Sequence, residues 1–520
     1  MTSAARPAPT APGAPPSAGP REWAGLAVLV LPVLLISVDM TVLGFAVPHL
    51  SEDLSPTGGQ LLWIIDVYSF VLAGLLVTMG ALGDRIGRRR LLMIGSAGFG
   101  VASLAAAYAP TPEVLIAARA LLGLAGATLM PSTLSLLRNM FPDPRQRLFA
   151  IAVWGAGFSA GGALGPILGG WLLEHFHWGS VFLINLPVMA LILVAVPLLV
   201  RESRDPDPGR LDPLSVALSM GALLPAVYGV KKLAEGHSAA VPVAAIAVGL
   251  VLGVVFVRRQ LRLTDPMIDV RLFAIREFSV AVLTNLMIVF AMVSSLFFLT
   301  QYLQLVLGIS PLRAGVALLP GLALAVAAGF AAVALSRRLS LGAVVVIGLG
   351  LITAGFLLLT RAPLDGGAVL VAVAFGLIGA GMGLAETLTN DAILTAAPPA
   401  RAGAASAISE TAYELGGALG VALLGSVLTA AYQWRLDAVP GVPDETMRAA
   451  EETLGGAVTA VEGLPAATAD ALLLAARSAF TDGIHLTSAI AAAITVAAAV
   501  QAGVLLRRRR TPADRGPADR

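Results

Sequence analysis

Fourteen apolar stretches, each of about 20 or more residues, follow one another through most of this 520-residue chain. A helix of that length crosses the roughly 30 Å hydrocarbon core of a bilayer and satisfies its own backbone hydrogen bonds there. The stretches therefore predict an all-α polytopic membrane protein with fourteen transmembrane helices. Their predicted bounds are 23–49, 59–83, 90–109, 112–140, 147–174, 178–200, 211–233, 239–261, 277–307, 312–336, 341–361, 367–396, 402–431 and 480–506.

Basic residues divide unequally between the two sides of this arrangement. The tails and the loops on their side hold 26 lysines and arginines, the opposite loops hold 7, and Arg119 lies within a span. Positively charged loops stay in the cytoplasm. We therefore predict a multi-pass protein of the cytoplasmic (cell inner) membrane with both termini in the cytoplasm.

Composition excludes several classes of function. A mean hydropathy of +0.86 is too high for a soluble protein, and the absence of cysteine excludes disulfides and thiolate metal sites. The two lysines, Lys231 and Lys232, follow no phosphate-binding glycine pattern, and the arginines are dispersed among short loops. His175 and His177 are interpreted as polar loop residues. We expect no cofactor, no metal and no nucleic-acid partner, and an enzyme is the least favoured class.

An internal repeat divides the chain into two halves. The segment Gly161–Gly165 recurs as Gly416–Gly420, and Ser55-Pro56 recurs as Ser310-Pro311, both at an offset of 255 residues. Shared offsets at equivalent points of two sets of spans are typical of transporter halves. We predict a six-helix half at 23–200, two inserted helices at 201–262 and a second six-helix half at 263–506.

The remaining segments are predicted to lie outside the membrane. Residues 1–22 are rich in Ala and Pro and are interpreted as a disordered cytoplasmic tail, and 507–520 as a basic cytoplasmic tail. An exterior loop at 432–479 is expected to begin a helix at Pro443-Asp444-Glu445 and to form one or two amphipathic surface helices, broken at 463–465. A solvated surface element is favoured over a lid for this loop.

Three buried charges are predicted near the outer side of the first half. Asp66 precedes the loop residue Asp84 by 18 residues, which places it about 27 Å from that loop along a helix. Asp39 and Arg119 fall at a similar depth. An ionisable residue in hydrocarbon is costly and indicates function by default. Arg119 is expected to neutralise one acid and leave the other free to bind a proton or a cation.

Further acids lie in the spans of the second half. Glu410 and Glu414 are four residues apart, on one helical face, and Glu386 lies in the preceding span. We predict that these three residues bind protons or cations. Asp391, near the cytoplasmic end of its span, is expected to cap or pair locally.

The loop between spans 2 and 3 combines glycines, an acid and arginines, and predicts a conformational gate at the cytoplasmic side. Glycines permit a tight turn and close helix approach, and Asp84 can pair with an arginine or with a helix N-terminus. The equivalent loop of the second half, 336–340, lacks the acid and the glycines. The predicted gate residues are Gly80, Gly83, Asp84, Arg85, Gly87 and Arg88.

Span 5 carries a ridge of small residues, which predicts close helix packing and a hinge between open states. Its members are Gly157, Gly161, Gly165, Pro166 and Gly169. Aromatic rings in the spans form a possible pocket for planar cations. Those residues are Trp63, Tyr68, Trp154, Phe158 and Tyr413.

These motifs resemble those of the major facilitator superfamily. The resemblance rests on the Gly80–Arg90 loop, on Arg119 with Gly123 and Gly126, on the Gly161–Gly170 stretch, and on Asp39-Met40-Thr41 through Pro48. The fourteen-span layout, with Trp63, Asp66 and Tyr68 in span 2, is similar to its drug:proton antiporters, particularly the quaternary-ammonium and multidrug efflux pumps. The resemblance implies the major facilitator fold.

We therefore predict a monomeric antiporter, driven by the proton gradient, that exports amphipathic, cationic drugs or antiseptics across the bilayer. Protons and substrate would compete for the same carboxylates. A dedicated exporter of one metabolite or antibiotic is an alternative, and silence across a panel of cations would favour it. A receptor or scaffold that transports nothing is a second alternative, which predicts no proton movement driven by substrate.

Overall fold

The computed structural model describes residues 18–56, 58–204, 212–234, 240–264, 266, 268–398, 402–461 and 464–506. Across these ranges the chain is helical and contains no β-strand. The run Arg507–Arg510 and most of the tail predicted at 1–22 lie outside the described residues. Helix α1 begins at Pro20, so the last residues of that predicted tail are helical.

The helices are α1 (Pro20–Leu54), α2 (Gly58–Ile86), α3 (Arg88–Ala107), α4 (Pro112–Met140), α5 (Pro144–His175), α6 (Ser180–Leu183), α7 (Asn185–Leu199), α8 (Pro213–Ala234), α9 (Ala240–Arg262), α10 (Arg276–Gln301), α11 (Pro311–Leu335), α12 (Leu341–Leu359), α13 (Ala368–Ala396), α14 (Ala402–Arg435), α15 (Asp444–Glu452), α16 (Leu454–Ala460) and α17 (Ala466–Leu505). A 3-10 helix at Val270–Ala274 precedes α10, and a π-helical turn at Tyr302–Val306 extends it.

Thirteen segments of the described chain are long and apolar enough to cross a membrane. One of them, Ser180–Leu199, combines α6 and α7. The remaining predicted span, 147–174, coincides with α5, a helix of 32 residues. The predicted all-α membrane fold is confirmed, and fourteen spans are consistent with these helices.

The segment between α14 and α17 differs from the predicted exterior loop 432–479. Helix α14 continues to Arg435 and α17 begins at Ala466, so 466–479 forms the first turns of a 40-residue helix. The short helices α15 and α16 occupy the rest, and α15 begins at Asp444 as expected.

The short helix α15 packs one face on the protein and exposes the other, where Asp444, Glu445 and Arg448 lie, as expected of an amphipathic surface helix. Met447 and Ala450 of α15 join the apolar core, as does Leu454 of α16, and the Tyr432 hydroxyl donates to the Ala450 carbonyl oxygen at 2.6 Å. Burying this apolar face requires long neighbouring helices, which is why α14 and α17 extend beyond the predicted span ends.

The glycine ridge of α5 packs directly against α1. A Cβ at Gly161 would overlap the Leu34 carbonyl oxygen, and a Cβ at Gly165 would overlap the Thr41 side chain. The second half contains a similar approach, because a Cβ at Gly416 would overlap the Leu286 carbonyl oxygen of α10. Small residues thus allow α5 on α1, and α14 on α10, to approach backbone to backbone.

The inserted helices lie beside the seam between the two predicted halves. Helix α8 packs against both α2 and α14, and the Thr78 and Ser219 hydroxyls are 3.3 Å apart. Helix α9 packs on α8 and exposes apolar side chains such as Leu250 and Val251 on its other side. An apolar exposed face of this kind suits contact with lipid.

The helix bundle has two ends. The terminal face is the end at which α1 begins and α17 ends, and it also contains the start of α5 and the end of α13. The opposite face is the other end, where α15 and α16 lie.

Candidate functional site

Asp39 of α1 and Arg119 of α4 form a buried ion pair. Arg119 Nη1 donates to Asp39 Oδ2 at 2.7 Å, and Arg119 Nε donates to the Ile64 carbonyl oxygen at 3.1 Å. The Arg119 guanidinium also lies over the Tyr68 ring, 4.7 Å from its centre. The pair is neutral overall and its charges are satisfied inside the protein. Asp66 lies on α2 two residues after Ile64, and its side chain lies outside the described part of the structure.

The acids of the second half lie in a different environment. Glu386 of α13 and Glu410 of α14 line a cavity of about 10 Å³, and neither carboxyl group makes a hydrogen bond or an ion pair with a described residue. Glu410 is 5% exposed. Its neighbours in electrostatic range are two further acids, Glu386 and Glu414. We call this cavity, with Glu386 and Glu410 in its wall, the carboxyl pocket.

Three neutral polar side chains line the same pocket, and the sequence analysis did not identify them. Asn285 Nδ2 donates to Ser409 Oγ at 3.1 Å, and the Ser409 hydroxyl donates to Asn390 Oδ1 at 2.6 Å. Asn285, Ser409 and Asn390 are all buried. Two asparagines inside apolar spans, and a serine beside Glu410, were the available signal in the sequence.

A much larger cavity lies next to the carboxyl pocket. It has a volume of about 720 Å³ and a mainly apolar wall that includes Met40, Met292 and Phe297, with Glu414 among its polar groups. Phe158 and Tyr413 line both cavities, and their rings pack edge to face with centres 5.3 Å apart. This aromatic pair therefore lies between the carboxyl pocket and the larger cavity.

The other predicted pocket aromatics are placed differently. Trp154 lines the carboxyl pocket and donates from Nε1 to the Thr133 hydroxyl at 3.2 Å. Tyr68 is buried against Arg119, and Trp63 is 48% exposed and packs edge to face on Phe70. Neither Trp63 nor Tyr68 lines the larger cavity.

Asp84 joins the two predicted halves at the terminal face. Arg88 donates to Asp84 Oδ1 from Nε at 2.8 Å and from Nη2 at 2.6 Å. The backbone N–H groups of Gly403 and Ala404, in the first turn of α14, donate to the same carboxylate at 2.9 and 3.0 Å. A helix N-terminus carries partial positive charge, so Asp84 is held by an arginine and by a helix end together.

The glycines of the predicted gate permit this geometry. A Cβ at Gly80 would overlap the Gly403 carbonyl oxygen, so α2 and α14 can meet only if that position has no side chain. Gly87 has a φ of +109°, a conformation that favours glycine, and a Cβ there would overlap the Glu202 carboxylate. Gly83 lies against Leu91, and Arg85 donates to the Ala81 carbonyl oxygen at 3.4 Å.

Glu202 and Ser203, which the sequence analysis did not identify, extend this contact. The Glu202 carboxylate accepts from the backbone N–H groups of Arg89 and Arg90 at 3.0 and 3.1 Å and so caps α3. The Ser203 hydroxyl accepts from Arg88 Nη1 at 2.9 Å. The segment after α7 therefore fixes the arginine that pairs with Asp84.

Two further contacts join the halves at the terminal face. Arg147 of α5 donates from Nε to Asp391 of α13, across 244 residues of sequence. The expectation of a local partner for Asp391 is therefore wrong, because α5 and α13 pack side by side here. Arg138 of α4 donates from Nη2 to the Ala397 carbonyl oxygen at 2.6 Å, just beyond the end of α13, where a cation is favoured.

Comparison with known proteins agrees with this architecture. A family model described as the Major Facilitator Superfamily matches residues 29–421. The chain is 51% identical to the multidrug efflux pump LfrA of Mycolicibacterium smegmatis, over 94% of this chain and 97% of the relative. It is 39% identical to the methyl viologen resistance protein SmvA of Salmonella typhimurium, over 88% of this chain and 93% of the relative.

A solved structure has the same fold. The human organic anion transporter MFSD10 (TETRAN) superposes with a TM-score of 0.61 at 17% identity, covering 92% of this chain and all of that one. At this identity the likeness concerns the fold alone. Together, the family model, the two relatives and the helical architecture show that this chain belongs to the major facilitator superfamily.

Proposed function

We propose that this protein is a proton-coupled exporter of amphipathic cations across the cytoplasmic membrane. The observation that carries the proposal is the carboxyl pocket, in which Glu386 and Glu410 lack a partner among the described residues and lie beside a cavity of about 720 Å³. A buried carboxylate without a compensating cation is costly. It is stabilised when it takes up a proton or when a cation binds close to it.

The larger cavity suits an amphipathic substrate. Its volume falls in the range of pockets that hold drug-sized molecules, and apolar walls with a few polar groups are typical of such pockets. The faces of Phe158 and Tyr413 offer cation–π contacts. Glu414 places a carboxyl group in the same wall.

Competition for these carboxyl groups would couple the two fluxes. A cation that enters the cavity favours ionised Glu410 and Glu386, and their protons leave. Protons arriving from the other side neutralise the carboxylates and weaken the binding of the cation. The gradient thus drives export without direct contact between the proton and the substrate.

Relatives support this substrate class. One is named as a multidrug efflux pump, and another is named for resistance to methyl viologen, a planar dication. Secondary transport also fits membership of the superfamily better than an enzymatic function does. We infer that the present protein exports compounds of the same general kind, as a monomer and without a cofactor.

Charged contacts at the terminal face support a gate. We propose that this face is cytoplasmic, in agreement with the excess of basic residues on its side, and that Asp84 holds it closed in the conformation described. The Arg147–Asp391 pair would act at a second seam. Opening toward the cytoplasm then requires Asp84 to leave the N-terminus of α14.

Transport in everted membrane vesicles tests the proposal. With an imposed proton gradient, the wild-type protein is expected to accumulate a fluorescent quaternary-ammonium dye, and collapse of the gradient is expected to stop accumulation. Glu410→Gln and Glu386→Gln are each expected to lower the rate at least about tenfold, as for loss of a group with a direct role in proton transfer. Glu445→Gln, in the short helix α15, is the matched control.

Two results would contradict the proposal. Dye accumulation that survives collapse of the proton gradient would exclude proton coupling. Full activity in both pocket variants would exclude these carboxyl groups as the coupling site. If the wild-type protein transports no member of a panel of cations but exports one neutral or anionic compound, a dedicated exporter is favoured instead.

A further inference from the structure

The buried side-chain carbonyl oxygen of Asn285, Oδ1, has no hydrogen-bond donor among the described residues. Asn285 is 1% exposed and lies in the wall of the carboxyl pocket with Glu386 and Glu410. Buried polar atoms are nearly always satisfied, so each exception needs a physical explanation.

The contents of the pocket limit what can satisfy this oxygen. An ionised carboxylate has only acceptors, whereas a protonated carboxyl group has one O–H donor. The cavity of about 10 Å³ is close to the smallest space that holds a single water molecule. The groups of this pocket that can supply a donor are the Tyr413 hydroxyl and a protonated Glu386 or Glu410, acting directly or through one water.

The hydrogen-bond chain behind Asn285 can run in either direction. In the structure Asn285 Nδ2 donates to Ser409, and Ser409 donates to Asn390 Oδ1. The direction reverses if the side-chain amides of Asn285 and Asn390 both flip by 180°. Asn390 Nδ2 then donates to Ser409, and Ser409 donates to Asn285 Oδ1. Asn285 Nδ2 now faces the pocket. The same three residues then supply a donor in place of an acceptor.

We propose that Asn285 is a positioning residue for proton exchange, because it accepts from the protonated carboxyl pocket and, after reversal of the Asn285–Ser409–Asn390 chain, donates to the ionised one. Each protonation state thus keeps a hydrogen bond in a low-dielectric site. Among the residues that the structure describes, the charged and titratable groups in range of Glu410 are Glu386, Glu414 and Tyr413, and none of these is a cation. The inference rests on the proposed proton coupling.

Asn285→Leu removes both the donor and the acceptor and keeps the branching and the number of heavy atoms of the side chain, and Asn185→Leu, which makes the same change in size, is its matched control. Asn185 is a second buried asparagine that donates to a serine, Ser103, at 3.1 Å, and it lies on α7 in the other half. Infrared difference spectra between low and high pH report the carbonyl stretch of protonated carboxylic acids. Dye transport in vesicles is measured on the same variants.

For Asn285→Leu we expect the carboxylic acid band to move to higher frequency, because the acid loses its acceptor. Transport driven by the proton gradient is expected to fall about three- to tenfold, as for the loss of one hydrogen bond. Asn185→Leu is expected to leave the band in place. Ser409→Ala, which blocks reversal but keeps the Asn285 acceptor, is expected to leave the band in place and to slow transport about threefold.

The inference is wrong if Asn285→Leu keeps the wild-type band, or if Asn285→Leu and Asn185→Leu lower transport equally with no change in the band. Should Asn285→Leu fail to fold, wild-type transport rates in Ser409→Ala would overturn it. Failure of the proposed proton-coupled export gives a distinct result, because the wild-type protein itself would then show no transport that depends on the proton gradient.

Discussion

Asp39 of α1 and Glu410 of α14 are both buried acids on helices that line the same large cavity, yet their surroundings are opposite. Asp39 has an arginine at 2.7 Å, whereas the charged groups in electrostatic range of Glu410, within the described part of the chain, are the acids Glu386 and Glu414. Asp39 therefore has a counter-charge supplied by the fold itself. Under the proposed function, the charge of Glu410 depends on what enters the pocket. The comparison then teaches that the partner of a buried acid, rather than its burial, separates a structural role from a role in exchange.

The largest effect is expected from breaking the paired site. Arg119→Met leaves the Asp39 carboxylate buried without compensation, which is expected to lower the free energy of unfolding by about 3–5 kcal/mol. Removing both charges in Asp39→Leu/Arg119→Met is expected to restore most of that loss. Thermal unfolding of the purified proteins in detergent measures both. Equal destabilisation in the single and double variants would contradict the account of this pair.

Asp84 extends the comparison between paired and unpaired acids, because it is a paired acid whose partners lie in both halves. Asp84→Asn weakens charged hydrogen bonds to Arg88, Gly403 and Ala404, each bond to a charged group being worth about 1.5–3 kcal/mol. The conformation with a closed terminal face should lose population. A cysteine introduced at Ala418, in the cavity wall of a chain with no natural cysteine, reports this change.

Labelling of that cysteine by an impermeant maleimide from the terminal face is expected to rise about tenfold in Asp84→Asn, as follows from a shift of about 1.4 kcal/mol. Asp143→Asn is the matched control, because Asp143 caps α5 at the same face and its carboxylate accepts from backbone N–H groups of its own helix, at Arg145 and Gln146. Unchanged labelling in Asp84→Asn would mean that Asp84 does not hold the terminal face closed.

A smaller effect on stability is expected at the unpaired acid. Glu410→Gln removes no ion pair and no described hydrogen bond, so the free energy of unfolding should change by no more than about 0.5 kcal/mol, as at sites without such contacts. Thermal unfolding of Glu410→Gln, compared with wild type and with the control Glu445→Gln, measures this change. A loss as large as that of Arg119→Met would mean that Glu410 has a structural partner.

The smallest effect is expected where pairing occurs at a partly exposed site. Arg259 donates to Asp212 Oδ2 at 2.7 Å, and this hydrogen bond lowers the pKa of Asp212 to about 2. A lowered pKa contributes stability above the unfolded pKa of about 3.9. That contribution disappears as the pH falls through about 2. The difference in melting temperature between wild type and Asp212→Asn should therefore be small at pH 7 and vanish on acidification; a difference that grows in acid would contradict this.

Local patterns in the sequence predict much of this molecule. Hydropathy locates the helices because each span must be apolar over its whole length, and the spacing of glycine and Asp84 indicates the turn before α3. Local patterns do not identify the polar residues Asn285 and Ser409 of the carboxyl pocket. They also do not identify Arg147 as the partner of Asp391. In each case the hydrogen-bond partner belongs to another helix. Hydropathy predicts α17 too short because its first turns pack against helix α16 rather than cross an apolar span.

Proton release from the purified protein tests the central claim most directly. Adding a quaternary-ammonium dye to the wild-type protein in weakly buffered detergent solution is expected to release protons. The release should persist in Asp39→Leu/Arg119→Met and should be lost in Glu386→Gln/Glu410→Gln. Wild-type proton release from the double glutamine variant, with dye still bound, would contradict the assignment of proton exchange to the carboxyl pocket.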